Sequence, residues 1–337
     1  MNPPLMQAVI VREPVQKGEW NALDCTTIPR PTLRPGEVLV QVEACSVNRA
    51  DLLQRRGLYP PPPEASTVPG LDFAGFIVEK APDVEGWYTG DRVFGIVAGG
   101  GYGRYVAVPA AHLLSIPENL SFIEAAGSAE VFFTAFHNLF REAAITAGER
   151  LLLHGGGSGV GTAAIQLARE AGVQTIITAG SSEKIRHCLE LGASHGINYK
   201  EEDFASRLLE ITRGSGVDVV LDCIGAPYLA RHLEILNTRG RLVLIGLMGG
   251  ARAEIPLTPL LTKRLRIIGS VLRSQSLEEK AALARDFRDH VIPLLQRGGV
   301  RPVIDRVYPI SEVDKAHGYL QEGRHFGKIV LIQQTET

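Results

Sequence analysis

Residues Leu151 to Ala168 read LLLHGGGSGVGTAAIQLA: three apolar residues, a glycine run from Gly155 to Gly161, and then the helix-patterned Ile165, Gln166, Leu167, Ala168. Strand, glycine turn and helix in that order build the phosphate-binding corner of a dinucleotide fold. There the backbone N–H groups at the helix start face a pyrophosphate. With Gly161 as the glycine that packs helix on strand, Gly156 is expected at the tight turn, and Ser158 stands where a second glycine is usual. A serine still permits close approach of the chain, and its hydroxyl is expected to point toward the cofactor. Gly156, Ser158, Gly159, Val160 and Gly161 are therefore candidate cofactor contacts, and the chain is read as using a nicotinamide dinucleotide.

The next strand is Gln174 to Ala179, and at its end an acidic residue would hold the adenosine ribose of NAD. The chain instead reads Gly180, Ser181, Ser182, Glu183, Lys184. Small hydroxyl residues and a cation suit an extra 2′-phosphate. Tyr199, just after the short strand Gly196 to Asn198, is placed to add a phenol or to stack on adenine. NADPH is therefore the expected cofactor. Two later glycine turns follow strands, Asp222-Cys223-Ile224-Gly225 and Ile245-Gly246-Leu247-Met248-Gly249-Gly250. Their positions fit the rule that ligands bind beyond the carboxyl ends of parallel strands.

The chain has 337 residues, enough for two domains, with 45% hydrophobic residues and 21% charged. Lys+Arg 35 against Asp+Glu 37 gives a formal net charge of −2 with no basic stripe, so no nucleic-acid partner is expected. The start, MNPPLMQAVIVREP, lacks a basic region followed by an apolar core, and no stretch approaches the roughly 20 apolar residues of a spanning helix. A cytoplasmic protein without membrane attachment is the expectation. Cys25, Cys45, Cys188 and Cys223 stand far apart without C-x-x-C, and the nine histidines show no H-x-H or H-E-x-x-H, so no metal site is expected.

Residues 6–130 look β-rich, with alternating segments such as Val38 to Val42 and Arg104 to Val108. From about residue 131 strands alternate with amphipathic helices, at 151–154, 174–179, 195–198, 218–222 and 241–246, the pattern of a doubly wound parallel sheet. A charged helix from Leu277 to Arg297 and β segments at Val303 to Val307 and Lys328 to Ile332 follow. These last ~70 residues are expected to rejoin the first domain.

Six segments carry a family resemblance: NRADLLQRRGLYPPPP, GLDFAGFIVE, SGVGTAAIQLA, DVVLDCIGAPY, LIGLMGG and FGKIVL, in this order. They resemble the zinc-free, zeta-crystallin-like quinone oxidoreductases of the medium-chain dehydrogenase/reductase superfamily, nearest to the branch of the apoptosis-inducible mammalian quinone oxidoreductase. The resemblance implies an α/β fold with a GroES-like, β-rich catalytic domain (1–131 and 269–337) flanking a Rossmann NADPH-binding domain (132–268). It also implies a homodimer. By resemblance, Asn48 and Tyr59 line the nicotinamide and substrate cleft, with Ser158 facing it. Gly180, Ser181, Lys184 and Tyr199 match the 2′-phosphate group, and Arg324 a distant arginine contact. Cys223, Ile224, Gly246, Leu247, Met248 and Leu272 match the nicotinamide side.

Zinc alcohol dehydrogenases of the superfamily place cysteine where Asn48 stands, G-H-E where Gly70, Leu71, Asp72 stand, and a third ligand near Ala129 and Glu130. Tetrahedral zinc cannot be assembled from these residues. Relatives commonly carry a proline before Glu130, and its absence leaves the substrate-side shape open. The implied reaction is hydride transfer from NADPH to a quinone, with Asn48 and Tyr59 orienting the carbonyl and the proton coming from water or Tyr59. Asp51 is expected to cap the LLQRR helix. Reduction of α,β-unsaturated carbonyls, or a non-catalytic nucleotide-binding or RNA-associated role, remain the alternatives.

Overall fold

A computed structural model describes residues 4–333. These form two compact units, one from the chain up to Val131 together with Leu272 onward, the other from Phe132 to Val271.

The second unit is a six-stranded, all-parallel sheet. Its order is His195–Asn198, Gln174–Ala179, Arg150–His154, Val217–Asp222, Leu236–Leu244, Arg266–Gly269. Numbered within the unit this is 3-2-1-4-5-6, the doubly wound arrangement in which strand order reverses beside the first strand. Strands with both faces covered must be apolar throughout. Accordingly Leu151, Leu152, Leu153, Val219, Val220, Leu242 and Val243 are all buried. Full burial of each such side chain contributes roughly 1.5–3 kcal/mol.

In the first unit a seven-stranded sheet is built around Glu37–Val47, which pairs antiparallel with Asp72–Lys80, Tyr105–Pro109 and Lys328–Ile332. The pairing with Lys328–Ile332 is how the chain's last segment returns to the first domain. A separate hairpin joins Leu5–Val11 to Leu23–Pro29. The core gathers Val38, Val40, Val42, Phe73, Ile77 and Val108, with Ile329 and Leu331 from the returning segment.

Two local expectations change. The expected helix Leu277 to Arg297 is two helices, Leu277–His290 and Ile292–Gln296, because Pro293 lacks the N–H that would continue the first. The strand expected at 241–246 runs Leu236–Leu244. The segment where relatives carry proline lies inside the helix Phe122–Phe136, where a Cβ on Gly127 would stand 2.3 Å from Ile304 Cδ1. No helix among the described residues is long and apolar enough to cross a membrane.

Candidate active site

At the carboxyl end of Arg150–His154 the chain turns at Gly155, whose φ of +70° suits glycine. The tight-turn residue is thus Gly155 rather than the expected Gly156. Gly156 is glycine for packing, since a Cβ there would lie 2.9 Å from Ile177 Cβ. At Gly161 a Cβ would fall 2.4 Å from the Gly155 carbonyl oxygen and 2.5 Å from that of Gly156. Ser158 caps the helix Gly159–Glu170, its Oγ accepting the Gly161 N–H at 3.0 Å. Such a cap contributes about 1 kcal/mol. The hydroxyl is therefore turned onto the helix as an acceptor, and keeps its proton to donate. The first-turn amides of Gly159 and Val160 have no carbonyl partner within their own helix and stand at the positive end of its dipole. Small residues, a tight turn and open amides make a cradle that fits a dinucleotide pyrophosphate.

Beyond the neighbouring strand, Gly180 lies under the Tyr199 phenol: a Cβ on Gly180 would be 2.8 Å from Tyr199 Oη. Ser181 caps the helix Ser182–Glu190, accepting the Lys184 N–H at 3.3 Å. Pairing of Ala179 with Asn198 brings both strand ends together, so Gly180, Ser181, Lys184 and Tyr199 share one corner of the unit.

The turns after Val217–Asp222 and Leu236–Leu244 are stitched to each other. Met248 N–H donates to the Cys223 carbonyl at 3.1 Å, Gly249 N–H to Ile224 at 2.8 Å, and Ile245 N–H to Asp222 at 2.8 Å. A Cβ on Gly246 would meet the Cys223 carbonyl at 3.1 Å. Cys223, Ile224, Gly246, Leu247 and Met248 form one patch, with Leu247 and Met248 exposed. Beneath it the Asp222 carboxylate accepts the N–H groups of Ile224 at 2.7 Å and Gly225 at 2.9 Å. Burial pushes Asp222 up to about 6 against those two bonds.

Sequence spacing missed a buried chain behind this acid. His154 Nε2 and His232 Nε2 are 2.8 Å apart, and His154 Nδ1 meets Thr178 Oγ1 at 2.9 Å. Burial holds both imidazoles far below their ordinary range, His232 to about 3. His154, His232 and Asp222 are the one group among the described residues with metal-ligating types close together. The two rings, however, are in direct hydrogen-bond contact. The only signal in the sequence was His154 closing its strand.

In the first unit Asn48 is the N-cap residue of the helix Arg49–Arg55, and Asp51 caps that helix as expected, but from the third helical position, as the partner of Asn48 in a capping box. Asp51 sits in the first turn and its carboxylate accepts the Asn48 N–H at 2.7 Å, the Gly70 N–H at 3.1 Å and the Tyr102 hydroxyl at 3.2 Å. Burial lifts it to about 7. The Asn48 side chain is buried as well. Its Nδ2 donates to Asp72 Oδ2 at 2.8 Å and to the Ser46 carbonyl at 3.3 Å, and its Oδ1 accepts from Lys328 Nζ at 2.6 Å. Lys328 also donates to the Val47 carbonyl at 2.9 Å, and Ser46 Oγ donates to Asp72. Ser46, Asp72 and Lys328 were missed by sequence reasoning, although Lys328 stands inside FGKIV. Asn48 stands where a thiolate and Leu71 where an imidazole would be needed, so these residues do not fit tetrahedral zinc.

Tyr59 is half-buried, with the Arg273 guanidinium 5.1 Å from its ring centroid. Burial raises the phenol's pKa and Glu130 adds to this, whereas Arg273 opposes both. Leu272, next to Arg273, is half-buried and its carbonyl accepts the Gln275 N–H at 3.2 Å. Arg324 is exposed, donating from Nε to Glu322 Oε2 at 2.6 Å.

A sheet of order 3-2-1-4-5-6 with a glycine cradle on its first strand is that of a dinucleotide-binding protein. Comparison with known proteins carries this further. A family model described as "Zinc-binding dehydrogenase" matches residues 159–293, and one described as "Alcohol dehydrogenase GroES-like domain" matches residues 34–118. The chain is 32% identical to the quinone oxidoreductase of Rattus norvegicus over 304 residues, covering 90% of this chain and 91% of that protein. It is 33% identical over 327 residues to a zinc-type alcohol dehydrogenase-like protein of Schizosaccharomyces pombe, covering 89% of this chain and 91% of the other. The solved quinone oxidoreductase of Pseudomonas syringae pv. Tomato superposes with a TM-score of 0.87 at 28% identity, over 97% of this chain and 99% of that one. The chain belongs to the medium-chain dehydrogenase/reductase superfamily and is an NAD(P)-dependent oxidoreductase with a GroES-like and a Rossmann domain.

Proposed function

We propose that the protein is an NADPH-dependent quinone oxidoreductase that works without a metal. The observation that carries this reading is the network at Asn48. Where a zinc alcohol dehydrogenase needs a Lewis acid, an amide is bonded by an ammonium and a carboxylate. These residues offer no ligand set for a metal that would polarise an alcohol, so the acceptor that suits them is one that takes hydride unaided. A quinone does so, because its ring is electron-poor and the resulting charge rests on an aromatic oxygen.

Bound in the cradle, a reduced nicotinamide dinucleotide supplies the hydride. The amides of Gly159 and Val160 bind its pyrophosphate. Gly180, Ser181, Lys184 and Tyr199 favour a 2′-phosphate, since no carboxylate follows Ala179 to bind a ribose hydroxyl. Arg324 is assigned to the same phosphate by family likeness. Cys223, Ile224, Gly246, Leu247, Met248 and Leu272 face the nicotinamide end, with the Asp222 carboxylate holding the first of these turns. Tyr59 donates a hydrogen bond to the quinone oxygen that becomes negative. Asn48, whose two Nδ2 hydrogens go to Asp72 and the Ser46 carbonyl, has none left for that oxygen and instead fixes the start of the helix Arg49–Arg55 that leads to Tyr59. Water or the Tyr59 hydroxyl supplies the final proton. A cytoplasmic homodimer completes the reading.

Steady-state kinetics with NADPH and NADH against a panel of quinones and enals tests it. The expected result is a kcat/KM favouring NADPH and quinones. Preference for NADH, or turnover of enals alone, overturns it.

A further inference from the structure

Arg273 is a buried cation held only by neutral groups. It is 7% exposed. Its Nε donates to the Ala98 carbonyl at 2.7 Å, one terminal nitrogen to the Tyr59 carbonyl at 3.1 Å, and the other to Gln54 Oε1 at 2.6 Å. Among the described residues no carboxylate forms an ion pair with it. A second cation adjoins: Lys280 Nζ donates to the Arg273 carbonyl at 2.9 Å. Burial, and then the charge of Arg273, hold Lys280 below its ordinary pKa.

Burial holds Arg273 below its ordinary range, opposed first by the Tyr59 phenol and then by Asp51, the one carboxylate whose field reaches it. That carboxylate is already engaged by Asn48, Gly70 and Tyr102, and is pushed up to about 7, so near neutral pH a large share of it carries no charge. A guanidinium keeps its charge at any pH the fold survives. Taking such a charge out of water without an anion is strongly unfavourable, and the compensation must come from elsewhere. The guanidinium lies 5.1 Å from the Tyr59 ring centroid, so its field falls on the phenol, where it opposes and outweighs the field of Glu130.

We propose that Arg273, seconded by Lys280, makes the surface at Tyr59 select for negative charge. It favours acceptors that carry a sulfonate or carboxylate beside the carbonyl, and it stabilises the oxyanion formed at the oxygen bonded to Tyr59. This rests on the reading above that Tyr59 meets the acceptor. The quinone gains two electrons and one hydrogen as hydride, the dinucleotide leaves oxidised, and one proton from water completes the quinol. Arg273 acts through the field and through the Tyr59 loop, so it is a positioning and specificity residue. Charge at this range in a partly buried site is worth roughly tenfold in selectivity.

The test compares the parent protein with Arg273→Gln, Arg273→Lys and Lys280→Gln. The first readout is the ratio of kcat/KM for 1,2-naphthoquinone-4-sulfonate to that for 1,2-naphthoquinone. The ratio is expected to fall roughly tenfold in Arg273→Gln, less in Lys280→Gln, and to survive in Arg273→Lys. The second readout needs no turnover: the apparent pKa of bound 4-nitrophenol, followed by its phenolate absorbance, is expected to be lower on the parent than on Arg273→Gln. An unchanged ratio and an unchanged nitrophenol pKa in a folded Arg273→Gln overturn the proposal while leaving quinone reduction standing. If no quinone is turned over but the nitrophenol shift persists, the quinone reading fails and the charge selection stands. Should Arg273→Gln not fold, Lys280→Gln carries both readouts, and no change in either overturns the proposal.

Discussion

Replacing Gly161 with alanine sets two opposed effects against each other. In an open helix alanine is preferred over glycine by about 1 kcal/mol. At Gly161, however, the new Cβ would lie 2.4 Å from the Gly155 carbonyl oxygen, 1.0 Å short of the 3.4 Å at which ordinary contact begins. The atoms it meets are backbone, so no side chain can rotate away and the turn itself must open. Overpacking of this kind costs about 1–3 kcal/mol, which exceeds the gain in propensity. Opening the turn also moves the amides of Gly159 and Val160. Loss of one hydrogen bond to a charged group costs about 1.5–3 kcal/mol, so the Kd for NADPH should rise at least about tenfold. Gly318→Ala is the matched control, because Gly318 lies in the helix Val313–Glu322 with nothing within 4 Å of its Cβ position. It should stabilise by up to about 1 kcal/mol and leave cofactor affinity alone. Fluorescence titration with NADPH and calorimetric unfolding with and without cofactor measure both effects. If Gly161→Ala binds NADPH like the parent and is stabilised like Gly318→Ala, the cradle reasoning is refuted.

Lys184→Glu should weaken NADPH by about 1–3 kcal/mol and spare NADH, and equal losses for both would remove the 2′-phosphate assignment. Tyr59→Phe should lower kcat/KM for quinones several-fold to about a hundredfold with NADPH affinity nearly unchanged, and a parent-like rate would make Tyr59 scaffold. Burial raises Asp51 from 3.8 to about 7, so the folded chain keeps a proton that the unfolded chain releases near 4. The Asp51 contribution to stability therefore falls as pH rises from about 4 to about 7, and Asp51→Asn should flatten that part of a urea-midpoint profile. Prolonged chelation should leave quinone reduction intact, and elemental analysis should find no stoichiometric zinc. A bound zinc whose removal abolishes turnover would contradict the donor-set argument at Asn48.

The strands Gln174–Ala179 and His195–Asn198 were legible to the residue. Gln174–Ala179 is marked by its β-branched core Thr175, Ile176, Ile177, Thr178, and His195–Asn198, with Ile197 as its one apolar residue, by its place between two helix-patterned segments. The break at Pro293 was visible as a residue but hidden by the helical periodicity on both sides of it. The turn register slipped from Gly155 to Gly156 because only φ distinguishes neighbouring glycines, and φ is set by what the chain must avoid. Long-range partners were out of reach. Asn48 reads as a cleft-lining amide, whereas the sheet brings Asp72 and, from the far end of the chain, Lys328 onto it. His154 and His232 belong to a strand and a helix separated by most of the unit, so no local spacing could reveal their 2.8 Å contact. Arg273 carried no signal in the sequence, and its lack of an ion-paired carboxylate among the described residues is a property of the folded surroundings alone.

Anaerobic single-turnover mixing of the chelated, NADPH-loaded protein with a simple quinone tests the central claim most directly. The account predicts one quinol formed for each NADPH oxidised, at a rate that chelation does not change. Bound NADPH that stays reduced in the presence of excess quinone, or that is oxidised only after zinc is restored, would contradict it.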